Sequence, residues 1–519
     1  MDLETITKED LRLEYKDLLE KYKILDIEHA ELKEKYELVV FRKFGRSSES
    51  LNASDGQPSL FTEESESPAD QKTDEEQKTD SPVATQKIGA YTRSKAGRKP
   101  LDEKLPRTDI IIDIPEEDKQ CACGTCLVRI GEEVSERLQI IPPRLFVERI
   151  IRPKYACRSC EGSGDEDKRA VRVSPAPASI IPGSIVTPGL LAFVITNKYV
   201  DHLPFYRQEK KFERIDISIS RQNMSNWQQQ AYKKLEPLFD LLKECVKSGP
   251  VMQMDETPVQ VMGESEREDT QNSYMWLARG GPPGKPVVMY EYRETRAAKH
   301  IHDFLTGFSG YLQTDGYEGY ASALKSYPDI IHIGCFAHAR RKFFEAAKLA
   351  KKAGSAEEAM KYIRQLYDAE SDLRKKSLTP DAFLAERKER SALILEKFRS
   401  WLDKRVLQVP PSLALGKAIH YTLGQWEKLI AYLESPYLTP DNNVCENAIR
   451  PFVLGRKNWL FAGSPDGAKS SCGMYSLVET ARQNNLDPEK YLTIIFDRCP
   501  HAITKTDWEA LLPWNVKDL

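Results

Sequence analysis

Hydrophobic positions in the first forty residues recur every seven. Leu11, Leu18, Leu25, Leu32 and Val39 form one set, and Tyr15, Tyr22, His29 and Tyr36 lie four residues after the leucines. Alternating steps of four and three place both sets on one helical stripe, the seam of a coiled coil, with Glu and Lys along its flanks. Residues 1–46 therefore read as a coiled-coil or leucine-zipper helix suited to self-association. Tyr and His make the seam less ideal than Ile or Val would, and the same stripe also suits packing against the rest of the chain. The periodicity stops at Ser47. Phe61–Asp80 holds eight acidic residues against two lysines, too little apolar surface to offset ordering, so 47–106 reads as a disordered linker. Its end turns basic at Arg93–Pro100, where Gly97-Arg98-Lys99-Pro100 suits a minor groove or phosphates, or simply solvent.

Periodic segments return at Thr187-Pro188, which opens an apolar helix running to Tyr199. Pro204–Arg214 reads as a second helix and carries Arg207, Lys210, Lys211 and Arg214. After a break at Ile215–Ile217, Ser218 or Ser220 can cap a third helix. Its early exposed positions hold Arg221, Gln222, Asn223 and Asn226, side chains that read base edges, while Met224 and Trp227 face inward. Residues 176–247 thus fit a helix-turn-helix, and the same pattern fits an ordinary helical bundle. Next, Val251–Val261, Ser273–Arg279 and Pro286–Arg293 read as strands, His300–Phe308 as a helix and Gly310–Thr314 as a strand. That order is the one expected of a ribonuclease-H-like catalytic core, with its first part over 248–347. Lys348–Leu433 is rich in Ala, Glu, Lys, Arg and Leu and reads as a helical insertion, which leaves 434–519 for the second part of the core and a tail.

Composition adds limits. The 519 residues are 40% hydrophobic and 30% charged, with a net charge of −3, so any nucleic-acid contact must rest on local basic segments. No apolar stretch is long enough for a membrane helix, and the acidic start lacks the features of a signal peptide, so a cytoplasmic, nucleoid-associated place is expected. Five of the ten cysteines fall in two tight groups, Cys121, Cys123 and Cys126, then Cys157 and Cys160. Two Cys-x-x-Cys turns, Cys123–Cys126 and Cys157–Cys160, supply the four soft ligands of a structural Zn²⁺ in a ribbon over 107–175. Cys121 is the spare thiol, or it substitutes for one of the first pair.

Three acids stand where a metal-dependent nuclease would need them. Asp255 lies in the first strand of the core and Asp315 ends the fourth, and those strands are neighbours in the expected fold. Glu446 follows Asp441, which can cap a helix that also bears Arg450 one turn later. Three convergent carboxylates would repel one another unless divalent cations, Mg²⁺ or Mn²⁺, sat between them. Arg340, Arg341, Lys342, Arg450, Arg456 and Lys457 would hold the phosphodiester. Each acid also has an ordinary reading: a turn at Asp315-Gly316, a solvated strand end at Asp255, and a surface pair of Glu446 with Arg450.

Particular runs narrow the choice. Glu446-Asn447-Ala448-Ile449-Arg450-Pro451 followed by Gly455-Arg456-Lys457-Asn458-Trp459-Leu460-Phe461 resembles the C-terminal signature of bacterial insertion-sequence 66 transposases. Gly334-Cys335-Phe336-Ala337-His338-Ala339-Arg340-Arg341-Lys342-Phe343 resembles another stretch of the same family, and the Cys121–Cys160 module resembles its zinc-binding region. The resemblance implies an Asp-Asp-Glu catalytic domain with Asp255, Asp315 and Glu446 as the acids. Transposases of this type often carry a Cys-x-x-His between the second Asp and the Glu, and Cys335 and His338 match it, with a structural or DNA-positioning role expected. The three-cysteine cluster departs from the family pattern and leaves the zinc ligands open.

The expectation is a multidomain α/β DNA transposase: coiled coil, zinc ribbon, helix-turn-helix and ribonuclease-H-like domain with a helical insertion. It would bind terminal inverted repeats, cleave phosphodiester bonds and join the freed ends to target DNA by two-metal-ion catalysis. Its partners would be DNA, a second copy of itself and, from the resemblance, small accessory proteins. The rival reading is a zinc and helix-turn-helix DNA-binding regulator that does no chemistry.

Overall fold

A computed structural model describes residues 8–44, 108–109, 145–156, 171–349 and 354–516. The described residues form two compact units, one holding the N-terminal helix together with everything from Pro177 onward, the other the short strands that precede it. In the smaller unit, β1 (Lys154–Ala156) and β2 (Val171–Val173) pair antiparallel. The cysteines Cys121, Cys123, Cys126, Cys157 and Cys160 lie outside the described residues.

The larger unit begins with α1 (Lys8–Phe44), a continuous helix as the heptads require. Its seam residues Tyr15, Leu18, Tyr22, Leu25, Leu32, Tyr36 and Val39 are 62–70% exposed in the single chain. Three helices follow, α2 (Pro188–Tyr199), α3 (Phe205–Glu213) and α4 (Arg221–Lys234). Thr187 caps α2 by accepting from Leu190 N at 3.2 Å, and Ser220, not Ser218, caps α4 by accepting from Asn223 N at 3.2 Å. Met224 and Trp227 point into the core, whereas Arg221, Gln222, Asn223 and Asn226 are exposed. Helix α5 (Glu236–Lys247) then leads into the sheet.

Five strands make the main body of that sheet: β3 (Val251–Val261), β4 (Asn272–Gly280), β5 (Val287–Arg293), β6 (Gly310–Gln313) and β7 (Ile330–Ile333), in the order β5-β4-β3-β6-β7. The first three are antiparallel neighbours, and β3, β6 and β7 run parallel. Helix α6 (Lys299–Leu305) lies in the connection from β5 to β6, and α7 (Glu318–Leu324) makes the crossover from β6 to the parallel β7. Gly310 opens β6 at φ +125°, where a Cβ would come within 2.5 Å of Pro250 O, so a side chain there would part β6 from the start of β3.

Beyond β7 come α8 (Phe336–Leu349), α9 (Ser355–Arg374), α10 (Pro380–Val406), α11 (Ala414–Gly424) and α12 (Trp426–Ile430). They enclose a second core built on Phe343, Ile363, Phe398, Leu402 and Ile419. The chain returns to the sheet with α13 (Asn443–Trp459), β8 (Phe461–Ala462), which pairs with the end of β3, and α14 (Pro465–Gln483). Helices α15 (Pro488–Arg498) and α16 (Lys505–Glu509) complete the described chain. Helix α14 covers the free edge of β5. Ser476 Oγ accepts from Tyr290 N at 2.8 Å and Thr480 Oγ1 accepts from Val288 N at 3.0 Å, so backbone groups that could recruit another strand are satisfied by a helix. Among the described residues no helix is long and apolar enough to cross a membrane.

Candidate active site

Register brings the first two acids together. In the parallel pair β3–β6, Val251 stands opposite Tyr311 and Gln253 opposite Gln313, so continuing two residues sets Asp255 opposite Asp315. The side chains of Gln253 and Gln313 already meet, Nε2 to Oε1 at 2.9 Å, two residues earlier along the strands. Period-two alternation puts both acids on that side of the sheet, and neighbouring strands are only about 4.8 Å apart. Asp315 lies just beyond β6, where its Oδ1 accepts from Tyr317 N at 2.9 Å and turns the chain toward α7.

Glu446 reaches the same place from the far end of the chain. It sits in the first turn of α13, which packs on β3. Asn442, 1% exposed, fixes the approach by donating from Nδ2 to Met254 O at 3.0 Å, beside Asp255. The sequence placed the helix cap at Asp441. The cap position is Asn442, and Asp441 instead accepts from Asn443 N at 3.1 Å as the chain enters the helix.

The electrostatics follow from burial. Loss of water pushes the Asp255 carboxyl well above its usual range, and the charges of Glu256, Glu446 and Asp315 push it further. Burial, above all, raises the Glu446 carboxyl; Arg341 and Arg450 pull it down, and the charges of Asp441 and Asp315 raise it further. The chain has thus gathered carboxylates at a cost in self-repulsion that a divalent cation would relieve.

A fourth carboxylate, which no sequence motif singles out, lies beside the first. Glu256 accepts from Tyr320 Oη at 2.5 Å through Oε2 and from Arg296 Nε at 2.6 Å through Oε1. Arg296 stacks on the Tyr317 ring at 3.9 Å and remains 41% exposed on its side chain. No motif marks Arg296, because its place depends on a loop after β5 that the register alone brings over the site.

The basic residues divide. Arg341 and Arg450 are close enough to Glu446 to ease its ionisation, and Lys342 lies over the Tyr421 ring at 4.6 Å. Arg340 is on the same helix, α8. Arg456 bonds the Pro258 carbonyl of β3, and Lys457 is exposed. Arg221, Gln222, Asn223 and Asn226 sit on α4, with Gln222 Nε2 donating to Asn226 Oδ1 at 3.0 Å. Cys335 and His338, at the start of α8, come beside Glu446: His338 Nδ1 lies 3.7 Å from Glu446 Oε1.

Comparison with known proteins points to one family. A family model described as Transposase IS66 family matches residues 183–470, which take in α2–α4 and all three acids. The zinc-finger binding domain of transposase IS66 matches 118–161, and the IS66 C-terminal element matches 476–514. A fourth model, Transposase C of IS166 homeodomain, matches 31–110. Among similar proteins, y4jD of Sinorhizobium fredii (strain NBRC 101917 / NGR234) is 34% identical over 430 residues, 80% of this chain and 81% of the relative. A second protein of that strain, y4qI, is 33% identical over 436 residues, 82% and 78% of the two chains. Both carry the description of uncharacterised proteins.

Proposed function

The chain belongs to the transposase IS66 family, and from that premise we propose that it cuts and joins DNA with Asp255, Asp315 and Glu446 as its catalytic acids. The observation that carries the proposal is the convergence of those three carboxylates from β3, the end of β6 and the start of α13. The sheet order, three antiparallel strands followed by two parallel ones, supports a ribonuclease-H-like reading of the core. Three partly buried carboxylates, two of which, Asp255 and Glu446, have a raised proton affinity, suit a pair of hard cations, Mg²⁺ or Mn²⁺. Bound there, such ions would supply positive charge at the reacting phosphate and make water or a DNA 3′-hydroxyl easier to ionise.

The chain's own part is to orient. Asn442 holds the start of α13 against β3, which keeps Glu446 facing the two aspartates. Arg341, Arg450 and Arg296 present positive charge beside the acids, where the DNA backbone would lie. Helix α4 offers Arg221, Gln222, Asn223 and Asn226 to the terminal inverted repeats. The zinc-finger region stiffens the segment before it through Cys123, Cys126, Cys157 and Cys160, with Cys121 as the substitute ligand. Two ends must be cut and joined together, so the complex is at least a dimer, built on the exposed heptad face of α1. DNA in the bacterial nucleoid and small accessory proteins are the remaining partners.

The test is cleavage of a labelled transposon-end duplex in Mg²⁺ or Mn²⁺, wild type beside Asp255→Asn and Glu446→Gln, with end binding measured in parallel. Nicking lost in both variants while binding persists is the expected outcome. A folded variant that cleaves like wild type removes that acid from the centre. A DNA-binding regulator without chemistry would nick under no condition.

A further inference from the structure

We infer that Cys335, His338 and Glu446 form a binding site for a thiophilic divalent cation of the zinc class, and that this site shares Glu446 with the acidic centre. Their ligand atoms, one sulfur, one imidazole nitrogen and one carboxylate oxygen, all lie within 4.8 Å of one another. The 3.7 Å from His338 Nδ1 to Glu446 Oε1 is too long for a hydrogen bond. It is close to the roughly 3.4 Å that separates two ligands around a tetrahedral ion with bonds of about 2.1 Å.

The scaffold ties the segments that carry these groups together. Phe336 N donates to Pro440 O at 3.0 Å and Asn442 N donates to Cys335 Sγ at 3.3 Å. Two stretches of chain over a hundred residues apart are thereby zipped together, one delivering Cys335 and His338, the other Glu446. The N–H groups of Asn442 and His338 both point at the sulfur, an arrangement that favours a thiolate. Burial opposes that charge while the sulfur is unligated, and a bound cation reverses the balance. One thiolate, one carboxylate and a neutral imidazole would offset a doubly charged ion, so the partly buried cluster would carry no net charge. Sulfur and nitrogen donors select zinc over magnesium, whereas the Asp255–Asp315 side offers only oxygen.

The cation site stands on this geometry. Its consequence rests on the catalytic reading above: an ion that holds Glu446 on the Cys335–His338 side competes with the acidic centre for it. Zinc-class ions would then inhibit cleavage by drawing one acid aside.

Zinc content decides the matter. The full chain is dialysed against buffered Zn²⁺ alone, and the bound zinc per chain is measured for wild type, Cys335→Ser and His338→Asn, with folding checked by circular dichroism. The site predicts a loss of about one equivalent in each variant, since three protein ligands reduced to two no longer hold the ion. Equal zinc in the wild type and a folded variant overturns it. Should Cys335→Ser fail to fold, His338→Asn, whose ring is only partly buried, decides alone. The two proposals fail separately. Unchanged zinc beside a cleavage-dead Glu446→Gln would end the cation site and spare the catalytic reading, and lost zinc beside an active Glu446→Gln would do the reverse.

Discussion

Arg387 is completely buried, and replacing it with methionine should destabilise the helical part of the chain by about 3–4 kcal/mol. Its guanidinium donates to both oxygens of Glu370, at 2.9 and 2.7 Å. It also donates to the carbonyls of Tyr432, Ser435 and Leu438, at 3.1, 2.7 and 3.0 Å. Those carbonyls belong to the segment that carries the chain from α12 toward Asn442 and Glu446. In Arg387→Met, Glu370 keeps Arg374, whose Nη2 lies 2.7 Å from Oε1, so the carboxylate retains a partner. The three carbonyls lose theirs, at roughly 1.5 kcal/mol for each bond to a charged donor. The sum is about 4.5 kcal/mol, and packing of the methionine offsets part of it. Arg387→Lys reaches only some of the acceptors and should cost about half as much. Urea unfolding followed by tryptophan fluorescence reads the change, because Trp401 and Trp426 belong to this core. A loss below about 1 kcal/mol in Arg387→Met would mean that the guanidinium does not hold this segment, since buried carbonyls cannot lose charged donors at so little cost.

Three further outcomes follow from the same physical picture. Asp255 has a raised native pKa, so in metal-free protein its contribution to stability is greatest at acid pH and declines as pH rises from the unfolded value through the native one. Metal-free Asp255→Asn should therefore melt higher than wild type at pH 7, with the gain vanishing near pH 4, and a variant that melts lower at neutral pH would contradict this. Charges placed on the α1 seam, Leu18→Glu with Leu25→Glu, should reduce the molar mass seen by light scattering toward that of a single chain, and an unchanged mass would move the self-association elsewhere. Removing the exposed ends of α4, Arg221→Ala with Asn223→Ala, should weaken binding to the transposon end about tenfold or more while leaving the melting temperature near wild type, and unaltered end binding would assign recognition to another element.

Elements with strong local signals were legible in the chain. The span of β3 is Val251–Val261 as the alternation indicates, and the caps at Thr187 and Ser220 sit where short polar side chains precede helical periodicity. The heptads of α1 form one unbroken helix. Less was visible where tertiary contacts decide. The helix read as His300–Phe308 stops at Leu305, and Gly307 follows it in a left-handed conformation at φ +81°. Short β7 shows no alternation because its ends are buried and its centre is not, and two-residue β8 is too brief for any pattern. At the site, the pairing of Asp255 with Asp315 follows from strand register once the strands are known. The link from Glu256 to Arg296 and Tyr320, and the meeting of Cys335 and His338 with Glu446, arise from strands, helices and loops brought together across the fold. Periodicity carries no information about such contacts, and residue type alone makes Glu256 one acid among many.

The most direct measurement of the central claim, that Asp255, Asp315 and Glu446 together hold divalent metal, is iron-directed backbone cleavage. Fe²⁺ with ascorbate in place of Mg²⁺ releases hydroxyl radicals that cut the polypeptide beside the bound ion. Fragments ending near residues 255, 315 and 446 are expected, all three suppressed by excess Mg²⁺ and weakened in Asp255→Asn. Cuts that excess Mg²⁺ does not suppress, or Mg²⁺-sensitive cuts that miss these three positions, would contradict it.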